Sequence, residues 1–477
     1  MLVDRATSSL LDRDTIAAIA TATGGGLGIL RISGPDAARI GRLTFSRDFT
    51  KDPRRLVHGT FHRPAPRSED GAPIRGRAIH RADATNALDE GLAVYFPGPR
   101  SFTGEDVVEL HLHGGALHLA RCLEVLVAAG ARLAEPGEFS RRAFLNGRID
   151  LTRAEAIADL IAAQTDRALR QARAHLSGAL FDKVAALRDR LLDLRARLEV
   201  NLDFVEEDVP LFANASLAQH ARDLAHDLGA LANTYQNARR LRDGATVVLS
   251  GPPNAGKSSL FNALCEADRA IVTPIAGTTR DTLREPIDIR GLPVLLVDTA
   301  GLRELDGDTP DHQIEQLGIA RSRRAIEDAD LTLILVPPDE PGPDFATVDD
   351  RTLLVWSKAD LLDPKHLEDR VSRFPNQSAA VSATTGHGLD ALRDAIARML
   401  GEVPDADLVI VRERQHQALL HASQACAQAA DGLSLDLSPE LPAVDLQEAM
   451  DQLDQLVGKS TLEDVLDRLF STFCIGK

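Results

Sequence analysis

Gly251 to Ser258 reads Gly-Pro-Pro-Asn-Ala-Gly-Lys-Ser, the G-x-x-x-x-G-K-S spacing of a phosphate-cradling loop. The motif constrains the fold because it works only between a strand and a helix. Ala245 to Leu249, directly before it, is a short β-branched run suited to a buried strand, and Leu260 and Leu264 after it stand at helical spacing. Gly251 and Gly256 let the backbone curl so that its N–H groups face an anion, and the following helix adds its dipole. In this arrangement Lys257 reaches the β- and γ-phosphates and the Ser258 hydroxyl holds Mg²⁺. An α/β domain around a nucleotide is expected.

Four further stretches narrow the nucleotide. Asp298-Thr299-Ala300-Gly301 closes a second apolar run, Pro293 to Val297, where a D-x-x-G that senses Mg²⁺ and the γ-phosphate belongs. Between the two motifs, Gly277-Thr278-Thr279-Arg280-Asp281 offers Thr279 to the metal. Leu353 to Trp356 leads into Ser357-Lys358-Ala359-Asp360, and Ser382-Ala383-Thr384 follows the next apolar run. Five elements in this order resemble the motifs of a small GTPase domain. Asp360 at a strand end accepts from N1–H and the 2-amino group of guanine and has no useful partner on adenine. The expected GTP contacts are Asn254, Ala255, Gly256, Lys257, Ser258 and Ser259, then Thr273, Pro274, Ile275, Ala276, Gly277, Thr278 and Thr279. Asp298, Thr299, Ala300, Gly301, Ser357, Lys358, Asp360, Ser382 and Ala383 complete them. Ser357 stands where such domains usually place Asn; being shorter, it predicts weakened guanine affinity with specificity kept through Asp360.

A chain of 477 residues is too long for one core and predicts two to four domains. No apolar stretch approaches the roughly 20 residues that span a bilayer, and the start, Met-Leu-Val-Asp-Arg, lacks the apolar core of a signal peptide. Cys122, Cys265, Cys426 and Cys474 lie far apart without a C-x-x-C pair, against a zinc site or a disulfide framework. A cytoplasmic setting is expected. The net charge of −17 disfavours indiscriminate nucleic-acid binding. Local basic patches remain open at Arg239, Arg240 and Arg242 and among the arginines from Arg141 to Arg153, as does the alternative of ordinary solvated faces.

Around the nucleotide segment the chain changes character. Thr15 to Ala20, Gly28 to Gly34, Ala87 to Phe96 and Val107 to His113 read as strands and Ala116 to Ala129 as a helix, making an α+β domain; Pro64 to Gly76 reads as a mobile loop. From Leu151 the text is helical. Leu180, Val184, Leu187, Leu191, Leu194 and Leu198 form a heptad-like seam that fits a bundle or a dimer. Asp203 to Asp208 ends that run as an acidic turn. Helical periodicity returns from Val411 to Ala430 and from Leu446 to Phe473, so the α/β P-loop domain reads as an insertion into a helical domain whose two parts pack together. The expected division is 1–146 (N-terminal α+β), 147–238 (helical, first part), 239–403 (nucleotide domain) and 404–477 (helical, second part). The end, Cys474-Ile475-Gly476-Lys477, reads either as a frayed tail or as a cysteine placed near a substrate.

Taken together these stretches resemble the bacterial tRNA modification GTPases of the MnmE or TrmE family. The likeness is carried by Gly28 to Gly34, Phe96-Pro-Gly-Pro99, Ser101-Phe-Thr-Gly-Glu-Asp106, His113-Gly-Gly115, Pro136-Gly-Glu-Phe-Ser140, Arg142-Ala-Phe-Leu-Asn146, Ala154 to Ile161, the nucleotide motifs and Phe473-Cys-Ile-Gly-Lys477. It implies an N-terminal domain that dimerises and binds a tetrahydrofolate one-carbon donor, with Arg31, Glu109, Arg148 and Lys477 at the folate contacts and Cys474 beside them. It implies a homodimer that joins a flavin- and NADH-using partner of the MnmG (GidA) type in a heterotetramer or larger complex. The pair would install an aminomethyl or carboxymethylaminomethyl group on C5 of the wobble uridine of certain tRNAs. Leu302 follows the D-x-x-G where Ras-like proteins place a water-orienting glutamine; the resemblance assigns that work to Glu315. It also implies K⁺ at Asn254, Thr273, Ile275 and Thr278. Two other readings stand beside it: a GTP-dependent assembly switch without modification chemistry, and a folate enzyme in which GTP is only structural.

Overall fold

The computed structural model describes residues 14–64, 86–203, 212–267, 284–298, 324–343, 348–401, 410–435, 438, 440–459, 463–471, 473 and 476. Two compact units emerge, Met1–Ala158 with Val457–Lys477, and Asp159–Leu456. Among the described residues no helix is long and apolar enough to cross a membrane.

The first unit is built on a six-stranded sheet of β1 (Ile16–Ile19), β2 (Leu27–Ser33), β3 (Val57–His62), β4 (Ala87–Phe96), β5 (Val107–His113) and β6 (Arg132–Leu133), in spatial order β3-β4-β5-β2-β1-β6. Its pairs are antiparallel except β1 with β6. Alternation sends Ala17, Leu30, Ile32, Ala93, Val108, Leu110 and Leu112 to one face. There α1 (Ala37–Thr44) and α2 (Ala116–Ala128) close the core with Ile40, Leu119, Cys122 and Leu126. The other face carries Arg31, directly opposite Glu109 in the β2–β5 register, and His111 two residues on. Ile16 and Ala18 on this face pack with Ala134 and with Phe139 of α3 (Glu138–Leu145).

The arginines from Arg141 to Arg153 are mostly structural. Arg142 is 4% exposed and its guanidinium reaches Asp14 at 2.5 Å, Glu138 at 2.9 Å and Glu105 at 3.2 Å. Arg132 joins the same carboxylates of Asp14 and Glu138, each at 2.6 Å. Arg141 pairs with Asp467 and Arg153 with Asp150. Three of the four are thus paired with carboxylates, and Arg148 is exposed.

In the second unit the described part of the nucleotide domain holds β7 (Ala245–Ser250), β8 (Arg284–Ile289), β9 (Leu292–Asp298), β10 (Leu331–Val336), β11 (Thr352–Trp356) and β12 (Ser378–Ala380), ordered β12-β11-β10-β7-β9-β8 and parallel except for β8. From β7 the chain goes next to one neighbour and later to the other, which makes the end of β7 a topological switch point, where such sheets bind ligands.

The helices behave as their spacing predicts. In α4 (Leu151–Ala162), α5 (Asp166–Ser177), α6 (Ala179–Asp203), α7 (Asn214–Asn233) and α8 (Tyr235–Asp243) the apolar faces are buried, and every residue of the α6 seam is at most 3% exposed. After α9 (Lys257–Ala267), α10 (Pro364–Ser372) and α11 (Leu389–Met399) of the nucleotide domain come α12 (Glu413–Ser434), α13 (Glu440–Val457) and α14 (Glu463–Phe470). The helices before and after the insertion pack together: α7 and α12 are in contact, Ser423 Oγ donates to Ala225 O at 2.7 Å, and a Cβ on Gly229 would stand 3.2 Å from Ser423 Oγ. Small side chains let the backbones approach that closely.

Both crossings into the inserted domain are tied to one carboxylate. Asp159 accepts from Arg412 after the insertion at 2.6 and 3.2 Å and lies 3.5 Å from Arg242 before it. Thr165 caps α5 by accepting from Ala168 N and donates to Gly291 O in the β8–β9 turn at 2.9 Å. Arg240 likewise bonds Leu400 O. The basic cluster of α8 thus holds the neck of the insertion.

One expectation changes. The helical text from Leu446 to Phe473 is two helices, not one, because the chain turns at Gly458 with φ +86°. A Cβ there would come within 2.6 Å of the Phe144 ring, so only glycine fits. The loop expected over Pro64 to Gly76 and the acidic turn after Asp203 lie outside the described residues.

Candidate functional site

The strand end, loop and helix start assemble as the motif requires. Gly251 has φ +144°, and a Cβ on it would stand 2.6 Å from Leu335 O of the neighbouring strand. Asn254 sits in the left-handed region at φ +60°, exposed at the loop tip. Ala255 is buried, Leu260 N closes the first helical turn on Gly256 O at 2.9 Å, and Ser259 is exposed. Lys257, 8% exposed, turns back over the loop and donates from Nζ to Gly251 O at 2.9 Å and Pro252 O at 2.8 Å. Its ammonium is thereby held over the loop in which the backbone amides converge.

Asp298 ends β9 opposite Leu249 at the end of β7, so the two motif-bearing strands finish side by side. Ser258 Oγ donates to Asp298 Oδ2 at 2.9 Å. A hydroxyl and a nearly buried carboxylate brought together at a helix N-terminus suit a hard divalent cation such as Mg²⁺. The order of strands has done this, since the residues are 40 apart in the chain.

The base-reading residues lie at the ends of β11 and β12. Ser357 is 4% exposed; its N–H donates to Val336 O at 3.0 Å and its hydroxyl points to the same oxygen at 3.4 Å. It bonds its own sheet, as the short side chain predicts. Lys358 has φ +52° and opens a 3-10 turn, Ala359–Leu361, that presents Asp360 to solvent. Ala359 N is fixed to Val381 O at 3.0 Å, which ties this turn to Ser382 and Ala383. Ser382 is fully buried, with its N–H on His387 O at 2.9 Å. Trp356, the single tryptophan, ends the strand that leads into this turn and is buried against Val336, Leu354 and Phe374, with the Arg370 guanidinium over its ring at 5.1 Å.

Thr273, Pro274, Ile275, Ala276, Gly277, Thr278, Thr279, Thr299, Ala300, Gly301, Glu315, Cys474 and Lys477 lie outside the described residues. The described cysteines, Cys122, Cys265 and Cys426, are buried and form no disulfide among the described residues, and burial pushes the thiols of Cys122 and Cys426 up to about 12. They are packing residues.

A second site forms on the half-buried sheet face of the first unit. Arg31 Nε donates to Glu109 Oε1 at 2.9 Å, and Nη1 donates to Gly476 O at 3.3 Å. The guanidinium lies between the rings of Phe102 and Phe139, 5.6 Å from each. Gly476 is therefore buried and tied to the sheet through Arg31. Burial opposes charge on Glu109, but His111 and the guanidinium of Arg31 outweigh it and hold the carboxyl below the usual range. Arg148 is exposed and donates to Ser101 O at 3.1 Å, beside Phe102. Arg31, Glu109 and Arg148, scattered in sequence, thus gather around the 101–104 loop. Phe102, Phe139 and His111 were missed in the sequence; for His111 the signal was there, since two-residue spacing from Glu109 puts it on the same face.

Comparison with known proteins agrees along the whole chain. A family model for the GTP-binding protein TrmE N-terminus matches residues 15–148, and one for the MnmE helical domain matches residues 151–474. The tRNA modification GTPase MnmE of Alkalilimnicola ehrlichii is 43% identical over 98% of this chain and 100% of its own length. MnmE of Pseudomonas fluorescens is 42% identical over 98% and 99% of the two chains, and that of Heliobacterium modesticaldum 40% over 97% and 99%. With two family models spanning both units and relatives matched end to end, the chain belongs to the MnmE (TrmE) family of tRNA modification GTPases.

Proposed function

We propose that this chain hydrolyses GTP in its inserted domain and uses a one-carbon site on its N-terminal sheet to modify C5 of the wobble uridine in certain tRNAs. The observation that carries the reading is the presence of two prepared sites in one chain. One is the Ser258–Asp298 pair at the phosphate loop; the other is the Arg31–Glu109 pair under the docked C-terminal segment. A pure assembly switch has no need of the second.

At the first site Gly251 to Ser259 bind the phosphates, Ser258 and Thr279 hold Mg²⁺, and Asp360 with Lys358, Ser382 and Ala383 reads guanine. Asn254, at the exposed loop tip, holds K⁺ with Thr273, Ile275 and Thr278. A monovalent cation there neutralises charge that an arginine finger covers elsewhere. Glu315 orients the attacking water, because Leu302 has no hydrogen-bonding group.

At the second site the residues fit a reduced folate. Glu109 is a held carboxylate that accepts from the paired N–H groups of a pterin, Phe102 gives a partly exposed ring for a planar body, and Arg148 at the rim suits an anionic tail. Arg31 and Lys477 complete the set, and Cys474 stands next to it in sequence. Tetrahydrofolate supplies the one-carbon unit when bound; this chain's side chains bind and orient it.

The working protein is a cytoplasmic homodimer formed through the N-terminal domain. It acts with a flavin- and NADH-dependent partner of the MnmG type in a heterotetramer or larger complex that adds an aminomethyl or carboxymethylaminomethyl group. Its functional domains are 1–146, 147–238, 239–403 and 404–477.

Two measurements test the reading. Calorimetric titration with 5-formyltetrahydrofolate is expected to show binding that Glu109→Gln abolishes; absence of binding to the native protein removes the folate half. GTP turnover is expected to rise in K⁺ over Na⁺, and equal rates remove the cation assignment.

A further inference from the structure

His111 carries a feature that its neighbours do not explain. Its Nε2 is buried, yet no hydrogen-bond partner among the described residues reaches it. Glu109 Oε2 lies 3.6 Å away, just beyond hydrogen-bonding distance, while Glu109 Oε1 is already engaged by Arg31 at 2.9 Å. A buried imidazole nitrogen without a partner is costly and persists where something else repays it.

The surroundings say what it faces. His111 stands opposite Ile29 on β2 and Leu92 on β4, and Glu109 opposite Arg31 and Val94. The charged groups toward it are therefore Glu109 and Arg31; β4 contributes only apolar side chains at these positions. Two residues further along its own strand, His113 is bound by Asp89 at 2.6 Å and faces a different partner. Among the described residues the polar atom that approaches His111 Nε2 is the second oxygen of the ligand carboxylate, at 3.6 Å.

We propose that His111 is a positioning residue for Glu109, closing the 3.6 Å gap when a ligand with paired N–H donors occupies the carboxylate. Arg31 then fixes one oxygen and His111 the other, so the carboxylate cannot rotate and keeps one lone pair on each oxygen directed at the ligand. The ligand class is a planar heterocycle with a ring N–H beside an exocyclic amine. The inference rests on the folate reading of this site and adds the device that sets its recognition carboxylate.

The test is calorimetric titration of the full-length protein with 5-formyltetrahydrofolate, for the native chain, His111→Gln and His111→Leu. Gln keeps an N–H donor at this position; Leu has none. His111→Leu is expected to bind about tenfold more weakly, the loss of one hydrogen bond to a charged group, and His111→Gln to bind within about threefold of native. Thermal unfolding of each variant separates lost folding from lost binding. Should Leu fail to fold, a folded His111→Gln that binds about tenfold more weakly than native overturns the role of the donor. Native-like affinity in a folded His111→Leu overturns the role of His111 alone. No binding by the native protein overturns the folate reading, and this inference with it.

Discussion

Gly476→Ala perturbs the second site without touching any side chain in it. Gly476 has φ +93°, where an L-residue costs on the order of 1–2 kcal/mol. A Cβ there would stand 2.2 Å from Ile19 O and 3.0 Å from Ala20 Cα, both backbone atoms at the end of β1, which no rotamer change can clear. Against this strain the described tie is Arg31 Nη1 to Gly476 O at 3.3 Å, a hydrogen bond from a charged donor worth about 1.5–3 kcal/mol at best geometry and less at this length. Strain and tie are of similar size, so alanine displaces the segment. Arg31 then loses one of its fixed partners. The variant should bind 5-formyltetrahydrofolate at least about tenfold more weakly, measured by calorimetry, while its melting temperature stays close to native because only the chain end moves. Unchanged folate affinity in Gly476→Ala would refute the docked terminus as part of the site.

Other expected outcomes follow from the same geometry. Arg142→Ala leaves Glu105 partly buried without its cation and Glu138 with Arg132 alone, and should cost about 3 kcal/mol, read by urea unfolding. Removing Arg132, whose side chain is 34% exposed against 4% for Arg142 and which shares Asp14 and Glu138 with it, should cost less. Acid should weaken the first unit in a defined direction: burial opposes charge on Asp14 and Glu138, yet their bonds to Arg132 and Arg142 hold both carboxyls below the usual range. Their contribution is complete above the ordinary carboxyl range, about pH 4–5, and is lost as pH falls through the lower folded values. Melting temperature against pH checks this, and a flat profile between pH 5 and 3 contradicts it. Trp356, being single and buried at the end of the strand that leads into the Asp360 turn, should report GDP binding as a change in its emission, and Asp360→Ala should abolish the change.

Much of this was legible in the sequence because periodicity and glycine spacing are local. The strand before Gly251, the α6 seam and the alternation in β2 and β5 each follow from a few adjacent residues. The pairing of α7 with α12 was legible too, since each is too apolar on one face to stand alone. What could not be read was long-range. The arginines near Arg142 looked alike in the text; Asp14 and Glu105, remote in the chain, turned Arg142 into a buried tie. The break at Gly458 depends on the ring of Phe144, and the docking of Gly476 depends on Ile19 at the far end of the chain. Asp159 gave no signal at all, because its role at the neck requires Arg242 and Arg412 to meet beside it.

The central claim is that the GTPase and the sheet-face site serve one reaction on tRNA. The most direct test is mass spectrometry of tRNA nucleosides from the source cell with and without this gene. The account predicts loss of C5-aminomethyl-type wobble uridines when the gene is absent and their return when it is restored. An unchanged nucleoside profile would contradict it, leaving a GTP-dependent switch without modification chemistry.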